Sequence, residues 1–373
     1  MKFIRIRVRM HMARTLFSNY TNPVQCLYIL KELVRHRREF SGEKITKMAI
    51  VDGKYFWELY IPGYKSESIT NFFRGEANRI VPSLTKTFRF NNVLIGITKQ
   101  CLLKCEHCFE WDSLNGKETL SLHDIKTIVR KFQGRGTGQI QLTGGEPMLR
   151  LNDMFELLQS AQTGTDFWIF TSGYNLTLEN AGKLKQAGLT GVVVSLDHHD
   201  PEMHNRFRGS GKSFEWVQSA VKNSIESGLV TSLSLCVTKS FATSSNLMAY
   251  AELARSMGVS FIQILEPKAV GHYSGKDVTL DASHEKILEE FYLKLNYNKQ
   301  YRKYPILCYH GYYQRKVGCF GAGNRSLYVD TDGDLQACPF CRTKVGSAVH
   351  GDLDEAIKEL VTAGCPRFTT SQF

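Results

Sequence analysis

The stretch Cys101-Leu102-Leu103-Lys104-Cys105-Glu106-His107-Cys108 follows directly on a β-rich apolar run over residues 93–98. Three residues separate the first two cysteines and two separate the next pair. That spacing suits three thiolates on one [4Fe-4S] cube and leaves its fourth iron without a protein ligand. A zinc site is the alternative, but zinc ligands usually come as two separated pairs. The nearest later cysteine, Cys236, stands alone inside a strand-like run.

Outward from this stretch, residues 90–270 alternate β-rich apolar runs with amphipathic segments. Strands are predicted over 93–98, 139–143, 167–171, 191–196, 231–237 and 259–265, and helices over 121–132, 152–161, 177–187, 213–227 and 245–257. Ser121, Asn152, Thr177, Ser213 and Ser245 are suitable N-caps, and Gly188, Gly228 and Gly258 suitable stops. This alternation predicts right-handed βαβ units around a parallel sheet. The expected fold is α/β, a partial TIM barrel of (β/α)6 type. The cysteine stretch then follows the first strand and Gly144-Gly145-Glu146-Pro147 the second, at the end of the barrel that carries the chemistry.

The flanks differ in composition. Residues 1–89 read as a small α+β unit: a helix over 23–37, then strands over 45–51 and 54–61 around the hairpin signal Asp52-Gly53. Residues 1–10 alternate Ile4, Ile6, Val8 and Met10 with arginines, which predicts a strand and lacks the apolar core of a signal peptide. Residues 271–300 read as a linker containing a helix over 283–295. Residues 301–373 form a cysteine-rich hairpin and helix domain, with strand-like 326–329 leading into the turn Asp332-Gly333.

The 373 residues, 42% hydrophobic, can bury a full core and a second smaller one. No apolar run reaches the roughly 20 residues that cross a bilayer, and a cytoplasmic location is expected. The ten cysteines fall mainly in two regions and are not spread as a disulfide scaffold. The net charge of +11 is concentrated at the front, where residues 1–40 hold nine Lys or Arg against Glu32 and Glu39. Such a stretch attracts acidic peptides, nucleic acids or membrane surfaces. A solvated helix face and basic tail account for it more simply, which argues against a nucleic-acid partner.

The cysteine stretch and Gly144-Gly145-Glu146-Pro147, in this order, resemble the radical S-adenosylmethionine (SAM) superfamily. The resemblance implies that Cys101, Cys105 and Cys108 hold a [4Fe-4S] cluster and that SAM chelates the open iron. Reductive cleavage would then yield a 5′-deoxyadenosyl radical that abstracts hydrogen. It also implies a place for His107 near the adenine, and for Gly144, Gly145 and Pro147 in a turn whose backbone approaches the ligand. Glu146 would face the methionine ammonium. Ser195 and Asp197 would contact the ribose or carboxylate of SAM, and an arginine, Arg206 or by preference Arg208, the carboxylate. His198, His199 and His204 read as polar loop residues, and Glu266 as a candidate substrate contact.

The second cysteine region resembles the twitch or SPASM extension, whose cysteines ligate auxiliary clusters. The full SPASM pattern has seven cysteines, so one auxiliary [4Fe-4S] cluster is expected here. Cys319, Cys338 and Cys341 are its candidates, with Cys365 and Cys308 contesting the fourth place. A zinc knuckle is the alternative. Cys26 and Cys236 read as core residues. In this branch substrates are often ribosomally made peptides that are oxidised or cross-linked, with carbohydrate-like small molecules the other main group. An electron donor such as flavodoxin or ferredoxin is implied. A basic nucleic-acid or zinc-binding module is the remote alternative. Peptide maturases commonly begin with a winged helix of three strands followed by helices, whereas residues 1–89 run helix then hairpin.

Overall fold

A computed structural model describes residues 2–41, 47–82, 90–319, 321, 323–365 and 368. The centre of the fold is a run of parallel strands, each followed by a helix. The N-terminal hairpin supplies β1 (Ala49–Val51) and β2 (Lys54–Phe56). The barrel strands are β3 (Asn92–Gly96), β4 (Gln139–Thr143), β5 (Asp166–Thr171), β6 (Leu189–Ser195), β7 (Val230–Cys236) and β8 (Phe261–Leu265). After these come β9 (Ile306–Tyr309), β10 (Ser326–Val329), β11 (Asp334–Gln336) and β12 (Val345–Ser347). The α/β fold with a parallel sheet is the one the alternation predicts.

The sheet is larger than that alternation suggests. Its order is β12-β11-β10-β3-β4-β5-β6-β7-β8-β9. β9 joins β8 in parallel, and β10 joins β3 in parallel, with Leu327 opposite Val93. The cysteine-rich hairpin therefore extends the barrel sheet itself. Its turn is set by Asp330, whose Oδ1 accepts from the N–H groups of Asp332 and Asp334 at 2.9 Å each. Gly333 takes the left-handed backbone there, φ +87°.

Along the strands, side chains alternate between the outer helices and the barrel interior. Val93, Ile95, Ile140, Leu142, Ile169, Val192, Val194, Leu233, Leu235, Ile262 and Ile264 pack in the main core and are at most 1% exposed. Helix starts deviate from the predicted caps in three places. Ser121 and Thr177 cap as expected, but the helix Leu151–Ser160 continues a 3-10 turn, Pro147–Arg150, with no side-chain cap from Asn152. Ser213 is the first residue of its helix rather than the cap. Thr243 caps the helix Ser244–Met257 in place of Ser245, accepting from the Asn246 N–H. A further helix, Pro201–Arg208, precedes Ser213.

The N-terminal unit contains α1 (Lys2–Asn19), α2 (Pro23–Ser41) and α3 (Ser68–Ile80). The alternation of Ile4, Ile6, Val8 and Met10 is thus helical, not a strand. A period-two run also contains i, i+4 pairs, such as Ile4 with Val8, so it fits either period; here no strand pairs with it, and Leu16 is buried with Cys26, Ile29 and Ala77. The hairpin forms as predicted, with φ of 49° at Asp52 and 68° at Gly53. The start of its first predicted strand, Ile45 and Thr46, lies outside the described residues.

Residues beyond the hairpin plug the barrel. Phe56 and Leu59 pack among Trp168, Val193, Val230, Phe261 and Ile306, and Gln139 Nε2 donates to the Leu59 carbonyl at 3.1 Å. Lys47 Nζ donates to the carbonyls of Tyr304 and Pro305 beside β9. Glu76 of α3 pairs with Arg325 beside β10 at 2.9 Å. The unit so ties together the strands on either side of the open barrel. No described helix is long and apolar enough to cross a membrane.

Candidate active site

A cavity of about 720 Å3 occupies the barrel interior, and Cys101, Cys105, Cys108, Cys319 and Cys338 all line it. The loop of the first three cysteines is docked from two sides. On one side it meets the end of the helix Pro201–Arg208: Glu106 N–H donates to the Phe207 carbonyl at 3.0 Å and Lys104 N–H to that of Arg208 at 3.3 Å. On the other, His272 N–H donates to the Cys108 carbonyl at 2.9 Å, and its ring stacks on Trp111 with centroids 3.8 Å apart. Gly271 enables that approach, since a Cβ there would stand 2.3 Å from the Cys108 carbonyl oxygen. Sequence reasoning missed this support, because Gly271 and His272 carry no motif.

The thiols are poorly solvated. Burial pushes Cys101 up to about 11 and Cys108 up to about 12, and raises Cys105 too despite Arg208 beside it. They ionise when a metal takes the proton's place. Arg208 Nη1 donates to Cys105 Sγ at 3.6 Å, and its Nε and Nη2 hold Asp197 Oδ2 at 2.6 Å each. Asp197 Oδ1 accepts from the Cys236 N–H at 3.0 Å, which places Cys236 on the cavity wall as well as in β7. Burial works against the Asp197 carboxylate, but the Arg208 guanidinium beside it outweighs burial and holds the carboxyl below its usual range. His204 is wholly buried, and its Nδ1 accepts from the Asp197 N–H at 3.1 Å. Arg206, by contrast, is exposed.

His107 completes this side. Its Nε2 is 3.8 Å from Asp197 Oδ1, and burial lowers its pKa to about 4, so the ring is neutral. Its Nδ1 is buried with no hydrogen-bond partner among the described residues. Three thiols on one loop, a neutral ring with a bare nitrogen and a common cavity fit a cluster with a bound nucleoside. Ser195 lines the same cavity at the end of β6.

The Gly144-Gly145-Glu146-Pro147 turn is held by close packing and hydrogen bonds, and Gly144, Gly145 and Glu146 line the cavity. A Cβ on Gly144 would stand 2.3 Å from the Thr98 carbonyl oxygen, and one on Gly145 2.2 Å from that of Gln100. The glycines are thus required by the turn's docking on the residues that lead into Cys101. Glu146 is buried, and its carboxylate already holds four donors: Met148 N–H, Thr171 Oγ1, Ser172 N–H and Ser172 Oγ, at 3.1, 2.7, 2.8 and 2.5 Å. Its side chain ties the end of β4 to the end of β5. Pro147 is buried at the start of the 3-10 turn.

The second cysteine set gathers from separate segments. Cys338 and Cys341 face each other across an isolated bridge, with sulfurs 3.4 Å apart. Cys319 interacts with Cys365 and Cys338, and Cys341 with Cys338, Cys365 and Cys319. Burial, with Cys365 next, pushes Cys319 up to about 12. Cys308 lies elsewhere: it is buried in β9 beside Glu58. Among the described residues no three His, Cys, Asp or Glu side chains converge on a single-ion site. Glu266 lines the cavity with its carboxylate paired to Arg315 at 2.7 Å and Lys268 at 3.1 Å.

Comparison with known proteins bears on this arrangement. Residues 95–240 match the family model described as the Radical SAM superfamily. Those residues are similar to the radical SAM domain. The GTP 3′,8-cyclase of Vibrio vulnificus is 30% identical over 146 residues, 38% of this chain and 43% of that one. The chain therefore spans less than half the length of that relative. A protein named "Probable GTP 3′,8-cyclase" from Saccharolobus islandicus is 28% identical over 282 residues, 71% of this chain and 89% of that one. Among solved structures, SuiB of Streptococcus suis bound to its precursor peptide SuiA aligns with a TM-score of 0.59 at 16% identity, over 74% of this chain and 66% of that one. The matched residues contain the cysteine loop, the glycine turn, Ser195, Asp197 and Arg208, and end within the loop after β7.

Proposed function

We propose that the protein is a radical SAM enzyme that reductively cleaves SAM and removes hydrogen from a substrate held between two iron-sulfur clusters. One observation carries this reading: Cys101, Cys105 and Cys108 line a single cavity together with Cys319 and Cys338 of the second set. A [4Fe-4S] cluster bound with SAM supplies a 5′-deoxyadenosyl radical. In this reading Cys101, Cys105 and Cys108 hold that cluster, and Gly144, Gly145, Glu146 and Pro147 shape the wall beside it. Asp197 sets Arg208 and faces His107, which seats the adenine. Ser195 and Arg208 position the rest of SAM.

Cys319, Cys338, Cys341 and Cys365 hold an auxiliary [4Fe-4S] cluster. It would accept the electron left on the substrate and make the reaction an oxidation or cross-link. The substrate is a ribosomally made peptide. The fold it shares with peptide-bound SuiB and the largely aromatic wall of Trp57, Phe72, Phe73 and Tyr60 support this. A small-molecule substrate is the second reading, favoured by the GTP 3′,8-cyclase relatives and by Arg5, Arg9 and Arg37 on the cavity wall. The excess of positive charge suits an acidic electron donor such as flavodoxin or ferredoxin, and the site needs no membrane or nucleic acid. A cytoplasmic location follows from reduced cysteines that hold metal.

The test is iron and sulfide analysis of anaerobically reconstituted protein, followed by incubation with SAM and dithionite. About eight irons per chain and release of 5′-deoxyadenosine are expected. Zinc without SAM cleavage overturns the reading. Mass spectrometry then compares a peptide encoded beside the gene with GTP; loss of hydrogen mass from the peptide supports the first reading, and conversion of GTP the second.

A further inference from the structure

Five carboxyl side chains line the cavity: Glu58, Glu76, Glu110, Glu146 and Glu266. Four are matched. Glu76 pairs with Arg79 and Arg325. Glu110 accepts from the hydroxyls of Tyr328 and Ser113 at 2.6 Å each. Glu146 holds its four donors, and Glu266 its arginine and lysine. Glu58 differs: it accepts from the Leu59 N–H at 3.0 Å and meets the Cys308 thiol. It has no cation and no hydroxyl partner among the described residues. A carboxyl turned to a cavity without a strong donor carries an unmet desolvation cost.

A second observation lies beside it. Gln263 of β8 is 4% exposed and lines the same cavity. Its Nε2 donates to the Tyr60 hydroxyl, and its Oε1 is buried with no partner among the described residues. Tyr60 in turn senses the charge of Glu58 and packs on His310 with ring centroids 4.4 Å apart. Two acceptors short of donors thus share one wall, where the segment that plugs the barrel meets β8.

We propose that Glu58 and Gln263 form a substrate-selecting subsite for a nitrogen group that offers several N–H donors. The shared chemistry is a planar N–H fork, which comes either from an arginine side chain of a peptide or from a guanine base. The subsite rests on the radical SAM reading for what the bound substrate undergoes, but its binding chemistry stands alone. Glu58 and Gln263 are specificity residues, remote from the cysteines that hold the reacting group.

The reconstituted, full-length protein is titrated calorimetrically with L-argininamide and with guanosine. L-Norleucinamide and inosine, which lack the fork, are the controls. Tighter binding of argininamide than norleucinamide assigns the peptide source, and of guanosine than inosine the base. Glu58→Gln should weaken the preferred probe about tenfold or more, bringing it toward its control. Gln263→Met carries the same test should Glu58→Gln fail to fold, as judged by circular dichroism. Equal binding of each probe and its control, no binding of either probe, or variants within about twofold of wild type overturns the proposal. Formation of 5′-deoxyadenosine by the wild-type protein decides the radical SAM reading separately.

Discussion

The two cysteine sets reach the same cavity by opposite routes. Cys101, Cys105 and Cys108 stand on eight consecutive residues, and the barrel docks that loop at Phe207, Arg208 and His272. Cys319, Cys338, Cys341 and Cys365 come from three stretches of chain spread over 47 residues, and the hairpin among them joins the barrel sheet where β10 pairs with β3. A set carried by one loop is specified by local sequence. A set assembled from distant segments depends on how the whole sheet closes. In the proposed function the first set generates the radical and the second handles what the radical leaves.

The sharpest way to break this division is to remove one ligand from each set. Cys105→Ala should abolish 5′-deoxyadenosine formation and take iron from about eight to about four per chain, read by chromatography and iron analysis. Cys338→Ala should also leave about four irons, but it should still cleave SAM slowly while forming no product. Full turnover by Cys338→Ala would show that the second set has no part in the reaction.

The fourth auxiliary position sharpens the comparison further. Sequence left Cys308 and Cys365 open, and the structure puts Cys365 with Cys319 and Cys341 and Cys308 beside Glu58. Cys365→Ser should shift the electronic absorption and paramagnetic resonance spectra of the auxiliary cluster, whereas Cys308→Ser should leave both unchanged. The reverse pattern would move the cluster toward β9.

What sequence made legible follows the same line. The six strands β3 to β8 and both motifs are visible because apolar alternation, caps and spacing are local. β9 was hidden, since Ile306 to Tyr309 is short and its partner β8 is 41 residues upstream, measured from Leu265 to Ile306. α1 was misread because a ten-residue alternation contains both periods and only tertiary contact selects one. Support for the cysteine loop from Gly271 and His272, and the plug carrying Glu58 and Tyr60, arise from packing between distant segments.

Glu146 tests the smallest effect, because its side chain joins two strand ends. In Glu146→Gln one oxygen becomes an amide N–H2 group that faces two donors. A hydroxyl of Thr171 or Ser172 turns to accept, but the neighbouring backbone N–H cannot. One buried N–H loses its acceptor, at a cost of about 1–3 kcal/mol, read by urea unfolding at neutral pH. The pH dependence adds a sign. Burial outweighs the four donors and raises the folded carboxyl above its ordinary value of 4.5. The folded state then holds its proton more tightly than the unfolded chain, so the wild type loses stability as pH rises from that value to the folded pKa. The variant has no such group, and its deficit relative to wild type should be largest at the acid end and narrow as pH rises. A deficit that widened with pH would mean that the donors, not burial, govern Glu146, and would return it to the role of a charged partner in the cavity.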